Sequence, residues 1–92
     1  MNSQTCKIKI DHLEIMRELV RILRGEASGW SGDRIENAEH QCYLLRRDLP
    51  EVSTMLADDL DLNTVDFSEE LGISPDRVRW FARRLTIPEQ AP

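Results

Sequence analysis

Apolar residues recur at Leu13, Met16, Val20 and Leu23, in steps of three and four that wind one stripe along a helix. Asp11 can cap the start and Gly25 can stop the end, so the spacing predicts a helix from residue 11 to about Arg24. Ile15, Leu19 and Ile22 add a second stripe, which makes roughly half the circumference apolar, more than one face of a small core needs. Two explanations fit that excess: deeper burial inside the domain, or a dimer interface at which Ile15, Leu19 and Ile22 meet a second copy. Upstream, Cys6, Ile8 and Ile10 alternate with Lys7 and Lys9, the period of a short edge strand guarded by lysines.

The stretch from Gly25 to Gly32 is turn-rich and holds Trp30, whose indole is expected to fold back over the edge of the core. Ser31 or Asp33 can start a second helix that runs to about Arg47, with Ile35, Ala38, Cys42, Leu45 and Leu49 on its apolar side. Pro50 suits the first turn of a third helix, in which Val52, Met55, Leu56 and Leu60 face inward and Asp58–Asp59–Leu60–Asp61 close the end.

Residues 64–85 are the most closely specified. Phe67 and Leu71 lie four apart on one helix face, Ser68 is small where two helices would cross closely, and Gly72 permits a left-handed turn. Ile73 can then plug the core, Ser74 can cap a second helix, and Pro75 fits its first position. Val78, Phe81, Ala82 and Leu85 make the buried stripe of that helix. Its outward arc holds Asp76, Trp80 and Arg83, flanked by Arg79 on one side and by Arg77 and Arg84 on the other.

This segment resembles a helix-turn-helix, and the string Gly72-Ile73-Ser74-Pro75-x-x-Val78-Arg79-x-Phe81 is similar to the first DNA-binding helices of MerR-like and excisionase-like regulators. The resemblance covers about a quarter of the chain. It implies that the second helix enters the major groove of duplex DNA, with Ser74, Asp76, Arg79, Trp80 and Arg83 facing the groove and Arg77 and Arg84 beside them. Thr86-Ile87-Pro88 leaves little room for the stranded wing that those regulators carry.

Charge narrows the implication. The chain has a formal net charge of −5, which opposes uniform attraction to nucleic acid or to an anionic membrane. The four arginines after residue 63 all fall between positions 77 and 84, so any phosphate contact is confined to one helix. Asp66, Glu69 and Glu70, on the helix before the turn, would repel a nearby phosphate.

With 92 residues, 40% hydrophobic and 32% charged, the chain has the composition of one small folded domain. The expected architecture is all-α. It comprises an arm or short strand over residues 1–10, a helical bundle over 11–62, the helix-turn-helix over 63–86 and a tail over 87–92, about five helices in all. No apolar run approaches a signal or membrane segment, and two widely spaced cysteines fit a reducing compartment, which points to the cytoplasm.

No metal or cofactor is expected. Asp59, Asp61, Asn63, Asp66 and Glu70 miss the glycine and the register of a calcium loop. Of four conceivable zinc ligands, Cys6, His12, His40 and Cys42, the last two would lie about 200° apart on a helix, with His12 in a first turn and His40 exposed. No nucleophile, phosphate loop or isolated carboxylate pair marks an enzyme. The sequence thus points to a small, dimeric helix-turn-helix DNA-binding regulator. The alternative is a protein-interaction module, such as an adaptor, inhibitor or antitoxin-like partner, that uses the helical hairpin to bind protein.

Overall fold

The computed structural model describes the backbone of residues 3–26 and 32–86, and side chains from residue 12 onward within those ranges. Trp30, Ser31 and the tail over 87–92 lie outside the described residues. The described residues form five helices and no strand: α1 (Ser3–Arg24), α2 (Arg34–Asp48), α3 (Pro50–Leu62), α4 (Thr64–Leu71) and α5 (Pro75–Thr86). Contacts group the chain into two compact units, Met1–Ala38 and Glu39–Pro92, with the division inside α2.

In the first unit, the segment expected to be an arm or strand is helical from Ser3, so Asp11 lies inside α1 rather than at its start. The alternation over Cys6–Ile10 is short, and lengthening an existing helix adds a hydrogen bond per residue without a new nucleation cost. His12, expected in a first turn, is consequently well inside α1 and buried. Met16 and Val20 are buried as the first stripe requires. Leu19 and Ile22 are each only 3% exposed, and Ile15 is half-buried. Within one chain, then, two of the three second-stripe residues are already covered, as deeper burial would require.

Helix α1 ends on Gly25 at φ 78°, where Gly25 N–H donates to the Ile22 carbonyl (3.0 Å) and Glu26 N–H to the Arg21 carbonyl (2.9 Å). Arg34 donates to the Arg24 carbonyl at 3.1 Å, and its Cδ stands 2.6 Å from where a Cβ on residue 25 would be. At the start of α2 the Asp33 carboxylate accepts from Ile35 N–H at 2.9 Å, the cap expected of it. Ile35 itself is exposed rather than on the apolar side.

The second unit is built around α5, which packs most extensively on α3 and less on α4. Its buried residues are Cys42 of α2, Ser53, Leu56, Ala57 and Leu60 of α3, Phe67 and Leu71 of α4, and Val78, Phe81, Ala82 and Leu85 of α5. Leu45 is half-buried and Leu49 is exposed, because α2 stops at Asp48 and Leu49 becomes the residue that leads into Pro50 at the first turn of α3. Met55, expected inside, faces out. The inward stripe of α3 instead starts at Ser53, whose hydroxyl donates to the Leu85 carbonyl at 2.6 Å and so tolerates burial.

Helix α3 also runs past the acidic stop to Leu62, and a single residue, Asn63, joins it to α4. That joint is tied on both sides. Asn63 Nδ2 donates to the Asp59 carboxylate (2.7 Å), Thr64 Oγ1 to the Leu60 carbonyl (2.8 Å), and Phe67 N–H to the Asn63 carbonyl (3.0 Å). No helix among the described residues is long and apolar enough to cross a membrane.

Two outcomes follow from this packing. Leu60→Ala, at a fully buried site, should lower unfolding stability by about 2–5 kcal/mol, while Leu62→Ala two residues on should stay within about 0.5 kcal/mol. Equal losses in urea denaturation would show that the inward face of α3 is misassigned. Burial pushes the Cys42 thiol up from 9.0 to about 12, against the opposing pull of Arg46 and Arg84. The folded pKa lies above the unfolded one, so the thiol's contribution is complete below pH 9 and is lost as the pH rises toward 12. Across that window the native chain should lose about 1.4 kcal/mol per pH unit more than Cys42→Ala, and parallel slopes would refute the burial.

Candidate functional site

Residues 64–86 fold as two helices joined by the turn Gly72–Ile73–Ser74. Gly72 sits at φ 68° and ψ 35°, the left-handed region that a Cβ disfavours. The turn is drawn onto Ser68. Its carbonyl accepts from Gly72 N–H at 2.9 Å and from Ile73 N–H at 3.2 Å, while its hydroxyl donates to the Ile73 carbonyl at 2.5 Å. Ser68 thus does more than the close approach its size suggested, because its side chain closes the ring. Ser74 then caps α5 by accepting from Arg77 N–H at 3.1 Å, and Pro75 takes the first helical position.

With Val78, Phe81, Ala82 and Leu85 turned inward, the opposite arc of α5 faces solvent. Ser74, Asp76, Arg79 and Arg83 are exposed, and Arg77, Trp80 and Arg84 are half-buried. Trp80 organises the arc. The guanidinium carbons of Arg77 and Arg84 each lie 5.0 Å from its ring centroid, one three residues before it and the other four after, so the indole is flanked along the helix. From beneath, Phe81 meets the indole edge-on at 5.0 Å. The result is a half-buried indole with two guanidinium groups over its ring.

The charges are not all equally available. Arg79 is paired with Asp76 at 2.9 Å, an exposed i,i+3 contact that water screens strongly. Arg84 is held by Glu39 of α2 at 3.1 Å, with both partners partly covered. The Arg83 guanidinium makes no hydrogen bond or ion pair among the described residues, although its backbone carbonyl accepts from the Thr86 hydroxyl at 3.4 Å.

Helix α2 contributes residues that the sequence pattern passed over. Glu39, Tyr43 and Arg46 stand at helical spacing on one stripe of α2. Glu39 grips Arg84, and Arg46 donates from Nη1 to the Arg84 backbone carbonyl, satisfying a carbonyl in the last turn of α5. The Tyr43 ring lies 5.6 Å from the Arg46 guanidinium carbon and 5.8 Å from that of Arg47. Arg47 is in turn paired with Asp48 at 2.8 Å, which holds the Asp48 carboxyl below the usual carboxylate range. Their signal in the sequence is only the i, i+4, i+7 recurrence of polar residues, the usual mark of a solvated face.

All six arginines of residues 39–92 lie on the last turns of α2 or on α5. Acidic residues dominate α3 and α4, so the unit is electrically two-sided. Among the described residues, no three His, Cys, Asp or Glu side chains converge as a metal site. Cys42 is fully buried and His40 exposed, each on the side of α2 that its spacing predicts.

The turn makes a direct demand on residue type. Gly72→Ala should cost about 1–2 kcal/mol through the left-handed backbone, and Ser74→Ala about 1 kcal/mol through the lost cap. Thermal denaturation in which Gly72→Ala is neutral or stabilising would rule out this turn geometry. Compared with protein-family models, with curated proteins and with solved structures, the chain shows no match, so the resemblance in residues 64–85 assigns it to no family.

Proposed function

We propose that the chain is a small DNA-binding regulator of the helix-turn-helix kind, acting in the cytoplasm, with α5 as the helix that enters the major groove. The carrying observation is the outward arc of α5, on which four arginines surround Trp80 while the apolar stripe is buried. Arg79 and Arg83 have the exposure and reach for guanine edges or phosphates, and Arg77 and Arg84 border the groove face. Ser74 and Asp76, at the N-terminal end of α5, stand where recognition helices meet base edges. Phosphates that displace Asp76 from Arg79 give up little, because that pair is exposed. A homodimer places two α5 helices on half-sites about one helical turn apart.

A second reading is favoured by the ties on Arg79 and Arg84, which lower the charge free to meet phosphate. In that reading the α4–α5 hairpin binds a protein, with Trp80 and its flanking arginines as the aromatic and cationic anchor residues that dominate protein interfaces.

Fluorescence anisotropy with mixed-sequence duplex DNA at low and moderate salt separates the two. The regulator should bind at low salt, weaken as salt rises, and lose about two units of log–log salt slope in Arg79→Ala/Arg83→Ala. Absence of binding by the native chain at low salt would end the DNA reading and leave the hairpin as a protein-binding surface.

A further inference from the structure

The side of the second unit away from the arginines has a character of its own. From Asp48 to Asp76 the chain carries nine acidic residues and no lysine or arginine. On the outer face of α3, Glu51, Met55, Asp58 and Leu62 follow one another at steps of four, three and four, and all four are exposed. Val65, the second residue of α4, lines one hollow with Leu62 across the Asn63 joint. Leu62 is 83% exposed, Val65 61% and Met55 49%, three large apolar side chains in solvent along one track. A shallow hollow of about 240 Å³ lies at the corner, lined by residues 61–66. No ion pair within the described residues neutralises Glu51, Asp58 or Asp66.

Scattered apolar residues on a surface are ordinary, whereas an apolar track that alternates with uncompensated carboxylates has a defined complement. That complement is a helix with apolar anchors every three or four residues and lysine or arginine beside them. We propose that the outer face of α3 and its corner with α4 dock a basic amphipathic helix of a partner protein, with Met55, Leu62 and Val65 receiving its apolar anchors and Glu51, Asp58 and Asp66 its cations. The second unit of another copy does not meet that description. The basic helix of the second unit, α5, keeps Val78, Phe81 and Leu85 buried and so has no apolar stripe to offer. Nucleic acid is repelled by the same carboxylates. The docking face is separate from the arginine arc, and the proposal does not depend on what α5 binds.

The test uses the full chain, isotopically labelled, and a synthetic peptide of about four helical turns with leucines at helical spacing on a lysine background. Its control is an isomer with the leucines scrambled. Titration followed by NMR should give saturable shifts confined to α3 and α4, and the scrambled isomer should bind at least about tenfold more weakly. Leu62→Ser/Val65→Ser, which removes the apolar side chains without changing the charge, should lose binding by a similar factor while far-UV circular dichroism and duplex DNA anisotropy stay unchanged, since both sites are exposed. Equal binding of the scrambled isomer, or binding that survives the double substitution, overturns the proposal. So does concentration-dependent self-association that the double substitution abolishes, which would make the occupant a second copy.

Discussion

The turn between α4 and α5 is gathered onto one residue. Ser68 accepts two backbone N–H groups through its carbonyl and donates its hydroxyl back to Ile73, across a reversal that only the left-handed conformation at Gly72 allows. This closure determines how α5 leaves α4, and so which of its faces meets α3. A different exit angle would bring Arg77 or Trp80 toward the core and expose Phe81 or Leu85. Burying a guanidinium without a partner costs several kcal/mol, so the register of α5 is enforced from both its faces.

Helix α5 is held at its far end by quite different means. Ser53 and Arg46 donate to the carbonyls of Leu85 and Arg84, which the end of the helix would otherwise leave without intrahelical donors. Glu39 holds the Arg84 side chain from the same α2 stripe. The two ends of one helix are thus secured by a turn in sequence and by side chains reaching from two other helices. The aromatic and cationic arc between them is presented on a rigid support rather than on a loop. Rigid presentation keeps low the entropy lost when side chains meet a ligand.

Much of the second unit was legible in the sequence because its local signals agree. Gly72, Ser74 and Pro75 each state one backbone requirement, and the spacing of Val78, Phe81, Ala82 and Leu85 states the buried face of the same helix. The misreadings share a physical origin in long-range structure. Ser53 is a polar residue inside and Met55 an apolar one outside, because the Leu85 carbonyl, 32 residues away, satisfies the Ser53 hydroxyl. The strand-like alternation at Cys6–Ile10 was overridden by continuation of α1, which a short local window does not see. Within the candidate site, the α5 residues were visible from periodicity. Glu39 and Arg46 were not, since their role depends on which helix lies opposite α2.

The joint at Asn63 has a consequence for how such a chain can vary. Helices α3 and α4 are separated by one residue whose side chain and backbone are both engaged, so the corner has no slack to absorb a change in length. One residue inserted into α3 after Leu60 would turn everything beyond it by about 100° and advance it by about 1.5 Å. Phe67 and Leu71 would rotate out of the core, and the ring closed by Ser68 would point elsewhere. Substitutions on the outer surface of α3 leave the joint untouched, whereas an insertion or deletion there breaks its register. Selection on length and selection on surface chemistry thus act separately at this corner, the first fixed by the joint and the second left open.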